Sequence, residues 1–386
     1  MPDCCIIGGG VIGLSIAREL AGRGAKVCVL SQHGERSTAS WAAAGIFPPA
    51  PRHARETPAE ALTGWSDELH RHWSRELLDE TGIDNGLVTC GGLHVAGDDD
   101  RLSALEAMAT SWRDRNACCE MLGASSVPDV EPGLRDAVRR GAIVGGMFLP
   151  DETQIRPPRH LAAVRRSCHK RGVTISDGAT VTAISVTDGF IEGVEVTTAA
   201  GNRETVRADA YCLAAGAWAG GLAAHLNLQF ETRPVRGQIA LLRFPRPVLS
   251  RVINMGVDYL LPRADGRLLV GSTLEDAGFD GTTTTEAIER LRAVAANLLG
   301  DISSASLEQV WAGLRPGSID GLPSIGRIPG YRNGFVAAGH FRAGLHQSPG
   351  TAVLMADLIT GRQPAIDLAA FAPDRKRTGR DPLMPP

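Results

Sequence analysis

Gly8, Gly10 and Gly13 stand at G-x-G-x-x-G spacing inside Asp3-Cys4-Cys5-Ile6-Ile7-Gly8-Gly9-Gly10-Val11-Ile12-Gly13. Glycines so spaced, between a short apolar run and a helical pattern, can cradle a pyrophosphate. Gly8 permits the tight turn, Gly10 lets the backbone approach the phosphates, and Gly13 lets the helix pack close on the strand. The N–H groups of the first turn, around Val11 and Ile12, then face the ligand, where the helix dipole favours negative charge. On its own the pattern also fits a plain tight connection.

The surrounding elements favour the ligand. Leu14, Ala17, Leu20 and Ala21 form one apolar helix face, Gly22-Arg23-Gly24 stops the helix, and Lys26-Val27-Cys28-Val29-Leu30 is a second strand. Together they make a βαβ unit of the expected length. One position departs from the fingerprint: where an acid would bind a ribose hydroxyl, the chain has Ser31 and then Gln32. A charge-assisted hydrogen bond contributes about 1.5–3 kcal/mol, so the dinucleotide is expected to be held roughly tenfold more weakly, unless Glu35 or loop backbone substitutes.

The chain has 386 residues, enough for two domains, and a net charge of -3. No basic run or aromatic-basic patch suggests nucleic acid. The most apolar stretch, Ala210 to Leu226, is broken by glycines and too short to span a membrane. The first strand begins at residue 3, which leaves no room for a signal peptide, so a cytoplasmic location is expected. The eight cysteines include no C-x-x-C, and buried free thiols are the expectation. No metal-spaced histidines, paired carboxylates or nucleophile constellation is present.

Beyond the βαβ unit, Thr38 to Ile46 is a run of small residues around Trp41, suited to lying flat on a large planar group or, more plainly, to a helix start capped by Ser37 or Thr38. Leu62, Trp65, Leu69, Trp73 and Leu77 recur at helical spacing. A further helix covers Arg101 to Asn116, and Pro157-Pro158 opens another. Strands are read at Val173–Ser176, Thr180–Val186 and Ile191–Val196, and Asp209 to Trp218 is a second strand, glycine and helix sequence. Strands at Pro234–Leu242, Tyr259–Arg263 and Arg267–Thr273 without intervening helices predict an antiparallel sheet and a separate domain. Trp311 to Pro323 then begins the return to the first domain. The last unit, Gly334 to Gly350, is strand and glycine loop, with a helix starting near Pro349 as a third positive helix end.

The turn at Gly8–Gly13, the segments Ala39–Ile46, Pro234–Gln238, Tyr259–Arg263, Gly266–Asp280, Leu314–Gly317 and Ala338–Gly344, taken together, resemble the flavin-dependent amino-acid oxidases, most closely their glycine oxidase branch, which serves thiamine biosynthesis in bacteria. The likeness spans nearly the whole chain. It implies an α/β fold: a Rossmann-type FAD-binding domain of the glutathione-reductase kind from residues 1–85, 151–231 and 320–386, and an α+β substrate domain on a mostly antiparallel sheet from 86–150 and 232–319. It also implies non-covalent FAD, since no cysteine follows Cys212.

By the same resemblance Gly8, Gly10, Val11, Ile12, Gly13, Ser31 and Val181 meet the adenosine diphosphate part, and Ser40 is a further cofactor-binding residue. Ala42, Ala43, Ala44 and Gly45 run along the ribityl chain and ring. Ala215, Gly216, Trp218, His340, Arg342, Ala343, Gly344 and Leu345 complete the flavin site. Arg315 would clamp the substrate carboxylate as a bidentate fork and touch the flavin, Tyr259 would donate its hydroxyl to the same carboxylate, and Arg342 would either face the pocket or bond loop carbonyls. Taken singly, Arg315 reads as a surface ion pair and Tyr259 as a packed strand residue. The implied reaction removes hydride from the α-carbon of glycine or another small amine, with hydrolysis of the imine and reoxidation by molecular oxygen to hydrogen peroxide. The competing readings are a D-amino-acid dehydrogenase using a carrier and a flavin-binding protein without turnover. Partners are thus a small amine and oxygen, with homo-oligomerisation left open. His346 and Gln347 stand where the branch more often has apolar residues, and Val257 where a histidine can occur; these departures bear on the substrate, or leave His346 as a helix cap.

Overall fold

The computed structural model describes residues 1–32, 38–53, 56–228 and 232–377; Glu35 and Ser37 lie outside them. A six-stranded sheet runs in the order Ser324–Arg327, Gly334–Ala338, Ala210–Leu213, Cys4–Ile7, Val27–Ser31 and Thr174–Asp177. Its neighbours pair parallel except at the edge strand Ser324–Arg327. Every residue of Cys4–Ile7 and Val27–Ser31 is buried, the continuous apolar pattern of parallel strands covered on both faces. The chain leaves Cys4–Ile7 towards Val27–Ser31 on one side and later adds Ala210–Leu213 on the other. That reversal opens a crevice at the carboxyl end of the first strand.

Helix Val11–Gly22 and the long helix Pro58–Thr81 cover one face together with Pro157–Lys170 and Gly344–Ile359. Thr57 starts the long helix with a capping box to Glu60, as the sequence allows. Trp73 and Leu77 are core residues, while Trp65 is partly buried against them. Arg18 is fully buried between these helices: Nε donates to Ser167 Oγ at 3.0 Å, Nη2 donates to Glu76 at 2.9 Å, and the guanidinium lies 4.4 Å from the Trp73 ring centroid. Arg18→Ala strands these groups and opens a cavity. The expected loss is about 3 kcal/mol, read as a lower urea midpoint at unchanged m-value.

The second sheet has eight strands, in the order Ser306–Gly317, Arg233–Arg243, Arg267–Gly271, Asp258–Pro262, Val252–Met255, Gly92–Ala96, Gly145–Leu149 and Glu120–Gly123. All neighbours are antiparallel except Val252–Met255 with Gly92–Ala96. Helix Thr285–Leu299 packs on one face through Ile288, Leu291, Ala295 and Leu298. Two small sheets, Thr180–Val206 and one joining Ile46–Phe47, Thr153–Gln154 and Val88–Thr89, complete the fold.

Several sequence expectations are corrected. Trp311–Gly317 is not a return segment but the end of a twelve-residue strand, Ser306–Gly317, paired along its length with Arg233–Arg243. The element after Ala210–Leu213 is a 3₁₀ turn, Gly216–Trp218, leading to a six-residue helix, so it offers no strong helix dipole. Of the cysteines, all free, Cys118 is exposed and Cys90 and Cys119 are half-buried. No helix among the described residues is long and apolar enough to cross a membrane.

The last helix begins at Gly344, five residues before Pro349, which sits inside it. Proline there removes one donor and normally breaks the ladder. Here the Leu345 carbonyl it leaves free accepts from His70 Nε2 at 3.0 Å and from Ser348 Oγ at 2.9 Å. The Gly350 N–H turns to Ser66 Oγ, and His70 Nε2 also reaches the His346 carbonyl at 3.0 Å. His70 thereby carries its proton on Nε2, and burial holds its pKa well below the usual histidine value.

Candidate functional site

A cavity of about 820 Å³ lies between the two large sheets. Its wall begins at the glycine turn. Gly8 has φ +130°, and a Cβ there would sit 2.2 Å from the Ala214 carbonyl oxygen. A Cβ at Gly13 would sit 1.9 Å from the Gly8 carbonyl oxygen. Only glycine fits either position. Gly8, Gly10, Val11 and Ile12 line the cavity, whereas Gly13 does not reach it; its part is the close helix–strand approach. Gly10 gives the helix no side-chain cap. Not every donor of the first turn faces the cavity, as the sequence suggested: the Val11 N–H donates to Ser40 Oγ at 2.9 Å.

Ser31, at the end of its strand, also lines the cavity and is buried. Val181 stands on the neighbouring small sheet, and Ala215, Gly216 and Trp218 form the wall beside it. Next comes the run Ala42–Gly45, following a one-turn helix capped by Thr38. Alanines cannot anchor themselves. Their carbonyls are held from the eight-stranded sheet: Trp311 Nε1 donates to Ala42 O at 3.1 Å, and Arg263 Nη2 donates to Ala44 O at 3.1 Å. Arg263 also donates to Gln154 and to the Ile155 carbonyl, and burial pulls its pKa down to about 10. Sequence reading assigned neither Trp311 nor Arg263 this role; the available signal was a loop with no side-chain donors of its own.

At the far end stand Arg315 and Tyr259. Arg315 crosses Gly237 of the adjacent strand, where any Cβ would meet its guanidinium at 2.2 Å. Its Nη1 donates to the Thr273 carbonyl at 3.2 Å and its Nη2 to Ser272 Oγ at 2.8 Å, leaving further donors for a ligand. Burial lowers its pKa to about 10, so it stays cationic at neutral pH. Tyr259 lies over its cross-strand partner Gly271 beside Ser272, and burial raises its hydroxyl pKa to about 12, leaving a neutral donor.

The loop 339–343 closes the same end, tied to the Arg315 strand by Phe341 N–H donating to the Pro316 carbonyl at 3.0 Å. Arg342 lines the cavity, and no hydrogen bond from it to a loop carbonyl is seen among the described residues. His340 bonds Thr351 Oγ1 through Nε2, and burial drops its pKa to about 3, so its imidazole is neutral. Ala343, Gly344 and Leu345 complete the wall. His346 does not cap the helix: it lies in the first turn with its ring stacked on Phe47. Val257 is exposed in a turn at the cavity rim.

A family model for FAD-dependent oxidoreductases matches residues 3–358. The chain belongs to that family. Among its relatives is a glycine oxidase of Pseudomonas aeruginosa, 36% identical over 368 residues that cover 95% of this chain and 97% of that one. The crystal structure of glycine oxidase from Geobacillus kaustophilus superposes with a TM-score of 0.89 at 33% identity, covering 97% and 99% of the two chains. The structure of iminodiacetate oxidase from Chelativorans superposes at 0.83, with 25% identity and coverage of 96% and 98%.

The flavoenzyme's cofactor is FAD, and the residues present fit it. A helix whose N-cap is glycine, beside a turn that admits no side chain at Gly8 or Gly13, suits a pyrophosphate. A flat wall of alanine backbone suits a planar ring, and the cavity joins the two. If Ser31 faces a ribose hydroxyl, Ser31→Glu adds a charge-assisted bond. FAD loss on dialysis is then expected to slow by about tenfold; retention no better than wild type contradicts that placement.

Proposed function

We propose that this flavoenzyme oxidises glycine and closely related small amines, and that oxygen is the final electron acceptor. The observation that carries the reading is Arg315 with Tyr259 at the end of a cavity whose other end is the glycine turn, in a chain 36% identical to a glycine oxidase.

In this reading the FAD diphosphate lies on Gly8–Ile12 and the ribose near Ser31. The adenine is at Val181, and the ring rests between Ala42–Gly45 and the 339–345 loop. Residues 1–85, 151–231 and 320–386 form the FAD domain, and 86–150 with 232–319 the substrate domain. Bound FAD supplies the acceptor for the hydride leaving the α-carbon. Arg315 holds the substrate carboxylate through its free donors, and the Tyr259 hydroxyl donates to the same group. Because both sit on rigid paired strands, the α-carbon is presented in one orientation.

Among the described lining residues, Asp258 is engaged by Arg290 at 2.7 and 3.0 Å, and Glu60 by Thr57 and Arg115. The buried His340 is neutral and bonded. In this reading the amine arrives unprotonated, and hydride transfer from a neutral amine demands no protein base. Glycine, oxygen and water then give glyoxylate, ammonia and hydrogen peroxide. The cytoplasm, rich in amino acids, is the proposed location.

An oxygen electrode tests the acceptor: glycine should consume one oxygen for each peroxide formed. Dye reduction without oxygen uptake would point instead to a carrier-linked dehydrogenase. Neither response to any small amine would end the proposal.

A further inference from the structure

This inference rests on the reading of Arg315 and Tyr259 as the carboxylate clamp, and extends it to the rest of the substrate. Tyr259 pairs with Asn254 of strand Val252–Met255 on one side and with Gly271 of strand Arg267–Gly271 on the other. Directly paired residues project from the same face of a sheet, so Asn254, Tyr259 and Gly271 form one row. The Tyr259 ring leans over Gly271, where an added Cβ would meet its hydroxyl oxygen at 2.3 Å, and so towards Ser272 and Arg315. Asn254 stands on the opposite flank of the ring, half-buried, and it too lines the cavity.

The way Asn254 is held decides which end of its amide is free. Glu152 is buried and lies across Gly92, where an added Cβ would meet its carboxylate at 2.2 Å. Asn254 Nδ2 donates to Glu152 Oε1 at 3.0 Å. His94, the partner of Asn254 on the next strand, brings Nε2 to 3.3 Å from that nitrogen and 3.5 Å from Glu152 Oε2. A carboxylate only accepts, so the NH2 end of the amide must turn to Glu152. Oδ1 then points the other way, and among the described residues it has no hydrogen-bond partner.

We propose that Asn254 determines side-group specificity: its Oδ1 accepts from a hydroxyl on the substrate side chain, so serine is preferred to alanine of the same hand. With the carboxylate on Arg315 and the Tyr259 hydroxyl, a side group that passes the ring meets Asn254 one strand further on, about 5 Å away. A hydroxyl there donates to Oδ1. A methyl displaces water from Oδ1 and returns no hydrogen bond, which costs binding. Glycine, with no side group, does neither. Glu152 is a positioning residue, since it fixes the amide and touches no substrate atom.

The test is the ratio of kcat/KM for serine to that for alanine, each hand compared separately, in the FAD-loaded wild type, Asn254→Leu and Glu152→Gln. Wild type should favour serine about tenfold. Asn254→Leu should make the two substrates equal, chiefly by raising KM for serine. Glu152→Gln, which lets the amide rotate, should lower the ratio about threefold. A general loss of fold or cofactor scales both substrates alike and leaves the ratio where it was. A wild type that favours alanine, or that oxidises glycine and neither of the other two, overturns the proposal, as does an unchanged ratio in Asn254→Leu. If Asn254→Leu does not fold, Glu152→Gln decides, and an unchanged ratio there is likewise contrary. A wild type whose flavin is reduced by no amine, glycine included, would instead overturn the functional reading, a failure visible before any variant is made.

Discussion

Arg315→Ala is expected to lower kcat/KM for glycine by about 30-fold to several thousand-fold, the equivalent of 2–5 kcal/mol for removing one partner of a desolvated charge pair. The size follows from how the side chain is held. Ser272 Oγ and the Thr273 carbonyl take two of its donors and aim the rest into the cavity. Arg342, which enters from a different loop, and Arg263 also act electrostatically on Tyr259. Most of the loss should appear in KM, because the carboxylate is bound equally before and during hydride transfer. A pH dependence follows from the same group. With a pKa drawn down to about 10 by burial, Arg315 is fully charged at neutral pH and loses its proton as pH rises through 10, so KM should climb there and not below. Unaltered glycine kinetics in Arg315→Ala would remove the carboxylate assignment.

Gly13→Ala should abolish FAD retention although residue 13 never touches the cavity. An added Cβ would stand 1.9 Å from the Gly8 carbonyl oxygen and 3.2 Å from Ile6 Cγ2. Both belong to backbone or tightly packed core that cannot swing aside. Relief requires the helix to lift from the strand, which moves the first-turn donors off the diphosphate and adds about 1–3 kcal/mol of overpacking. FAD affinity should fall by more than tenfold, and the thermal midpoint should drop. Gly123→Ala, where nothing lies within 4 Å of the new Cβ, is the matched control and should retain both. Yellow Gly13→Ala protein with wild-type affinity would contradict this account of the turn.

What could be read from the residues depended on how local the signal was. The glycine turn, the strands Cys4–Ile7 and Val27–Ser31 and the helix between them follow from a short contiguous pattern, and the structure has them within a residue or two. Placing Arg315 near Tyr259 required the resemblance, because their strands lie 56 positions apart and meet only through sheet order. The strand Ser306–Gly317 was missed over much of its length because its first half is polar and exposed, with little alternation to mark it. Proline at 349 was read as a helix start. It lies inside the helix only because His70, 279 residues earlier, supplies the missing bonding to Leu345 and His346 carbonyls. Likewise Trp311 and Arg263 could not be seen as supports of Ala42–Gly45 until the two sheets faced each other. Contacts closed by distant side chains leave no periodic trace.

Anaerobic addition of glycine to the purified protein tests the central claim most directly. Bound flavin absorbance near its visible maximum should bleach to the reduced form, with glyoxylate formed in equal amount to the flavin. Persistent yellow colour under saturating glycine, in protein shown to hold FAD, would contradict it.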